Sequence, residues 1–189
     1  MTNEFEFRKW AKTKRFVDVE MVITQKMDGT NAQILFSKDS TPDDIRVMAG
    51  SRNRWLSSDK DNFGFHEFVA INYKELFAAL GPGRHYGEWC GPQIQTTEGL
   101  DVRKFFTFNS SKEIDSTFQH LVSPVAELYR GPIDLHKIIE SLEALTVHGS
   151  YYNGFHPVEG IIVSLSGVRY KIYLDQLESV KKLVKGDLE

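Results

Sequence analysis

The 189-residue sequence predicts an α+β domain, mostly antiparallel sheets with flanking helices. Short stretches rich in β-branched and aromatic residues recur near 17 to 26, 32 to 37, 45 to 50, 84 to 90, 104 to 108, 121 to 128, 159 to 165 and 168 to 174. Helical spacing of apolar residues is confined to three places between and after them. No internal repeat, low-complexity tract or Pro/Ser-rich linker interrupts the chain, so residues 1 to 189 are expected to form one domain.

Each element has a local reason. The stretch Val17 to Ile23 is apolar and β-branched, and it runs on to Lys26 just before Asp28-Gly29, a pair common in hairpin turns. Phe68, Ile71, Leu76, Phe77 and Leu80 predict a helix at 65 to 80, stopped by Gly81-Pro82-Gly83. Asp134 can cap a second helix through Ile138, Ile139, Leu142 and Leu145, and Leu177, Val180 and Leu183 suggest a third. The last two strands read as a hairpin. A two-residue turn at Ser166-Gly167 would place Glu159 on the face opposite Lys171. A three-residue loop, Leu165-Ser166-Gly167 with Gly167 left-handed, pairs Ser164 with Val168 and Ile161 with Lys171. Glu159, Arg169, Lys171 and Tyr173 then share one face, Ile162, Tyr170, Ile172 and Leu174 the other, and this apolar separation predicts the three-residue loop.

Composition narrows the functional classes. Apolar content of 41% suits a globular protein, and no apolar run approaches the roughly 20 residues of a membrane helix. The N-terminus lacks a secretory layout, and one cysteine, Cys90, cannot form an internal disulfide, so a cytoplasmic setting is expected. A net charge of -3 gives no global attraction to nucleic acid, which would have to be met by local clusters. Arg8, Lys9, Lys12, Lys14 and Arg15 form one, offering an arm that could track phosphates; Arg46, Arg52 and Arg54 flank a probable loop; Lys181, Lys182 and Lys185 read as a solvated face.

Five segments have the chemistry of a nucleotide site. Lys26 ends a strand, on a rigid element, and Gly29 would let a nucleotide approach the backbone, although a solvated strand end beside a hairpin turn fits the same residues. Arg52 and Arg54 present planar forks suited to phosphate, or decorate a surface loop. Glu88 lies in the aromatic strand His85-Tyr86-Gly87-Glu88-Trp89-Cys90, where a buried carboxylate needs a partner such as a ribose hydroxyl or an internal arginine. Phe106 and Phe108 point to one strand face and could stack on a base or fill the core. The final hairpin supplies Glu159, Arg169 and Lys171.

In order, Lys-x-Asp-Gly-Thr-Asn, Ser-Arg, Tyr-Gly-Glu-x-x-Gly-Pro-x-x-Gln, Phe-x-x-Phe, Glu-Gly-x-x-Val and a basic strand resemble the covalent nucleotidyltransferase superfamily, specifically ATP-dependent RNA ligases of the nick-sealing phage and editing-ligase type. The resemblance spans 20 to 174. It implies an ATP-grasp-like adenylation domain, and with only fifteen residues after Leu174 no C-terminal OB or helical domain is expected. It also implies ATP with Mg2+ or Mn2+ as cofactors, and RNA, or DNA, with 5′-phosphate and 3′-hydroxyl ends as partner, with room for a separate substrate-binding protein. Lys26 would carry AMP as a phosphoramidate, with Gln25 near the adenine edge and Asp28, Gly29 and Asn31 shaping the site. Glu88 would bind the ribose, Phe108 stack on adenine with Phe106 as its substitute, and Arg52 hold a nucleic-acid end. Glu159, with Asp28, would place the metal, and Lys171 would contact the α-phosphate. The family's usual Lys-x-Lys is replaced by Arg169-x-Lys171 or Lys171-x-Tyr173, the first keeping two positive charges.

Such a lysine must be activated. Lowering an ordinary lysine pKa by about three units requires roughly 4 kcal/mol of selective destabilisation of the ammonium. A DNA ligase, a GTP-using capping enzyme and a binding module without turnover remain open alternatives.

Overall fold

The computed structural model describes residues 12, 13, 15, 18 to 95, 99 to 154 and 156 to 186. Among the described residues nine strands form two sheets, and three α-helices pack against them. The first sheet contains β1 (Glu20–Lys26), β7 (Glu127–Pro132), β8 (Gly160–Leu165) and β9 (Val168–Tyr173), in the order β7-β1-β8-β9. The second contains β2 (Thr30–Phe36), β3 (Val47–Ser51), β4 (Gly83–Cys90), β5 (Lys104–Thr107) and β6 (Val122–Pro124), in the order β3-β2-β4-β5-β6. All pairings are antiparallel except β5 with β6.

Alternation assigns the faces. On β2, Ala32, Ile34 and Phe36 are buried against helix α1 (Phe65–Leu80), leaving Asn31, Gln33 and Leu35 on the other face. On β1, Met21 and Ile23 are buried with Ile138, Leu142 and Leu145 of α2 (Leu135–His148), leaving Val22, Thr24 and Lys26 opposite. The helices start and stop for local reasons. Asp61 accepts from the amides of His66 and Glu67 in α1, Gly81 closes it at a φ of 73°, and Asp134 caps α2 by accepting from His136. The third helix, α3 (Leu177–Lys185), packs Leu177 and Val180 against the α2 core.

Two expectations need correction. Asp28-Gly29 is not a hairpin turn, because β1 and β2 belong to different sheets and Met27 to Gly29 crosses between them. Likewise the stretch 121 to 128 is two strands. Val125 donates to Thr107 in the second sheet while the next residue, Ala126, accepts from Gln25 in the first. Pro124 is the last residue of β6, and the switch of sheets falls between Val125 and Ala126. Both crossovers meet: Met27 and Val125 are buried with Cys90 and Phe106 in a small core at the seam. Cys90 is fully buried there, as expected of a small core residue.

The final hairpin also departs from expectation. It closes with a two-residue turn in which Ser166 (φ 46°) and Gly167 (φ 86°) are both left-handed, pairing Leu165 with Val168 and Ile162 with Lys171. This turn matches strand twist, which a three-residue loop would have to accommodate with a bulge. Ile162 consequently faces the cleft, and Ile161, Val163 and Ile172 serve the core.

Candidate active site

The uncovered faces of the two sheets enclose a cleft of about 990 Å³, within the usual range for a small-molecule site. One wall is β1, β8 and β9; the other is β2, β4 and the loop after β3. Lys26 stands where β1 ends at the seam, and its ammonium is in direct ion-pair contact with Glu159. The register of the hairpin alone would turn Glu159 away. Gly160 redirects it. Its φ of 153° interrupts the strand pattern, and a Cβ there would lie 2.1 Å from the Ile172 carbonyl oxygen. Only glycine lets β9 approach so closely while Glu159 swings to Lys26. The offset expected at the tip of the hairpin therefore occurs at the other end of its first strand.

Arg169, Lys171 and Tyr173 line the cleft together, as expected. Lys171 lies 5.1 Å from the centroid of the Tyr173 ring, and its hydrogen bond to Tyr173 holds its pKa above the ordinary lysine range. It is therefore cationic at neutral pH, suited to meeting phosphate and not to acting as a nucleophile. The Arg169 guanidinium sits 5.7 Å from the centroid of Phe108.

The facing wall is a hydrogen-bonded row. Arg52 Nε donates to Asn31 Oδ1 at 2.6 Å, and Asn31 Nδ2 donates to Glu88 Oε2 at 2.7 Å. Glu88 is 9% exposed. Burial pushes its pKa up to about 7 against the opposing effect of the Asn31 hydrogen bond and of the Lys26 and Arg52 charges. The partner of this buried carboxylate is thus an amide, with arginine one step removed. Arg54 is spent on the loop itself, donating to the carbonyls of Lys60 and Asp61.

Other expected residues take different positions. Gly29 has its strongest demand from packing: a Cβ would lie 2.4 Å from the Trp89 carbonyl oxygen and 2.6 Å from Cys90 Sγ. Gln25 is a wall residue, yet its side chain donates to Ser150 Oγ at 3.0 Å and accepts from the Tyr151 amide at 2.8 Å, so it ties β1 to the 149 to 152 loop. No hydrophobic period marks that loop; its Gly-Ser-Tyr-Tyr-Asn-Gly composition signals only a turn. Phe108 lines the cleft, whereas Phe106 is fully buried beneath it against Tyr152, with ring centroids 4.6 Å apart. Phe106 cannot substitute for Phe108 as a stacking surface. Asp28 is close enough to raise the Glu88 pKa.

Among the described residues no group of three or more His, Cys, Asp or Glu side chains could by itself hold a metal ion. Two carboxylates lie near the end of β1, Glu159 against Lys26 and Asp28 near Glu88, and magnesium is commonly held by one or two carboxylates together with substrate phosphates. Arg8, Lys9 and Lys14 of the N-terminal cluster lie outside the described residues. Arg46 meets Asp39 at the surface, and Lys181 pairs with Glu143 and Glu178, in keeping with a solvated C-terminal face. No described helix is long and apolar enough to cross a membrane.

Comparison with solved structures finds the same fold in the RNA ligase of Naegleria gruberi. A variant with AMP and Mn aligns with a TM-score of 0.58 at 17% identity, covering 87% of this chain and 52% of that one. An apo variant gives 0.56 at 18% identity, covering 88% and 53%. The chain thus spans about half the length of these structures. No curated protein sequence matches. The RNA ligase family profile matches residues 19–171, covering β1 to most of β9, and the chain belongs to the RNA ligase family.

Proposed function

We propose that this chain is the adenylyl-transferring part of an ATP-dependent RNA ligase working through lysyl-AMP. The observation that carries the reading is Lys26 at the sheet seam, with Glu159 in contact, Arg169 and Lys171 on the same wall, and the Glu88-Asn31-Arg52 row across the cleft. ATP, the substrate class the Naegleria ligase structures contain along with Mn, suits this arrangement. Ionised Glu88 accepts from the ribose hydroxyls, and Phe108 offers a ring to the adenine. Arg169 and Lys171 neutralise phosphate oxygens and hold the α-phosphorus for in-line attack.

Lys26 must first leave its ion pair and lose a proton. Its nitrogen then forms the P–N bond as the bond from the α-phosphorus to pyrophosphate breaks. Glu159, with Asp28, is the carboxylate set we assign to Mg2+ or Mn2+, and a metal there would supply charge neutralisation at the phosphates. Once Glu159 is parted from Lys26, the amine is free to give its proton to solvent. Arg52, exposed at the end of its row, is placed to receive the 5′-phosphate that takes AMP from Lys26, after which a 3′-hydroxyl displaces AMP and seals the strand.

The test is incubation with α-labelled ATP and magnesium, with and without Lys26→Ala. We expect an acid-labile labelled protein band in wild type only; no band in wild type, or a band in the variant, sinks the reading. Replacing ATP by GTP should abolish the label, and a nick with an RNA 3′-hydroxyl strand should be sealed in preference to an all-DNA nick.

A further inference from the structure

The face of the second sheet that carries Glu88 and Asn31 continues beyond the cleft. Cross-strand register arranges it in rows. Glu88 pairs with Asn31; two residues along, Tyr86 pairs with Gln33, which pairs with Gly50; two further, Arg84 pairs with Leu35, which pairs with Met48. Each row is displaced about 7 Å from the last along the strands. Trp55 packs over the end of the second row, where a Cβ on Gly50 would come within 3.0 Å of its ring.

These side chains are exposed without being a disordered fringe. Tyr86 is 55% and Trp55 40% exposed, and the Arg84 guanidinium stands 5.1 Å from the Trp55 centroid and 6.0 Å from that of Tyr86. Arg84 also donates to Gln33 Oε1, and Gln33 donates to the Ser51 carbonyl at 2.8 Å, tying the platform to the strand that leads to Arg52. Between platform and cleft runs a groove of about 350 Å³ whose lining includes Tyr86, Gln33, Arg52, Phe108 and Arg169 and no carboxylate. Arg52, Phe108 and Arg169 line the cleft as well, so the groove adjoins it.

We infer that Tyr86, Trp55 and Arg84 form a stacking platform for the RNA strand as it leaves the active site. This rests on the RNA ligase reading for the identity of the strand. Exposed aromatic rings take up unstacked bases whatever their sequence, and arginine forks meet the intervening phosphates. Neither the described core nor the nucleotide cleft uses these three side chains. The acid-free groove favours a polyanion over an apolar or basic partner.

The experiment measures equilibrium binding of a fluorescein-labelled, 5′-phosphorylated 12-nucleotide RNA by anisotropy, with self-adenylylation from labelled ATP assayed in parallel. Tyr86→Ala and Trp55→Ala should each weaken RNA binding about tenfold, while Tyr86→Phe stays within about twofold of wild type. Self-adenylylation should be unchanged in all three, which also reports that each variant is folded. Wild-type RNA binding by both alanine variants overturns the platform, as does a Trp55-dependent dimer in gel filtration, which would make a second copy the occupant. If wild type takes no label from ATP but the binding losses hold, the ligase reading falls and the platform stands. Normal labelling with unmoved RNA binding is the reverse.

Discussion

The two walls of the cleft use polar side chains in opposite ways. On the β1-β8-β9 wall, Lys26 and Glu159 form one ion pair whose side chains retain 18% and 29% exposure, and Arg169 and Lys171 lean on aromatic rings. Water reaches these groups, and each contact can be exchanged for a contact to a ligand at little cost. On the β2-β4 wall, Glu88 is buried and joined to Asn31 and then Arg52 in a fixed row. The first wall is rearrangeable and the second is preorganised. Rigidity on the first wall resides in the backbone at Gly160, which aims Glu159, whereas on the second it resides in side-chain hydrogen bonds.

Three measurements break or sharpen that contrast. The largest effect is expected at Gly160→Ala, where a left-handed backbone and a Cβ overlapping the Ile172 carbonyl together should destabilise the fold by roughly 3 kcal/mol in chemical denaturation. Unchanged stability would mean that the register break is not imposed there. Next is Glu88→Gln. The folded pKa of Glu88, about 7, lies above its ordinary value of 4.5, so the folded state keeps a proton that the unfolded state releases. Wild-type stability should therefore fall as pH rises from about 4.5 to about 7, and a glutamine escapes that loss. The variant should gain up to roughly 3 kcal/mol relative to wild type at pH 8 and nothing below pH 4.5, measured by denaturation across that range. It should also bind ATP more weakly, since burial of the carboxylate serves recognition and not stability. A pH-independent difference would contradict the buried-carboxylate account. The smallest effect belongs to Glu159→Gln, which should change stability by less than about 1 kcal/mol while lowering self-adenylylation. A stability loss as large as that at Gly160 would make the first wall as preorganised as the second.

Much of the site was legible because its residues lie at strand ends and on alternating positions. Lys26 after an apolar strand, Glu88 inside an aromatic one, and Arg169, Lys171 and Tyr173 at alternate positions all reach the cleft by period-two geometry, which a sequence displays directly. Gln25 and Phe106 show the limit. Both were reasonable neighbours of an adenine, yet one is tied to the 149 to 152 loop and the other lies under the floor, because what covers a strand face is decided by elements distant in sequence.

The sequence by itself determined the α+β class, the three helices with the Asp134 cap and the Gly81 stop, and most of the residues that line the cleft around Lys26, since propensity, capping and alternation act over a few neighbours. Only the tertiary structure decided that Asp28-Gly29 and Val125-Ala126 cross between two sheets, that Gly29 is required by Trp89 and Cys90, and that Gly160 rather than the hairpin tip turns Glu159 to Lys26. Those are consequences of backbones packed closely together from opposite ends of the chain, and a steric demand of that kind leaves a glycine in the sequence without saying what it must avoid.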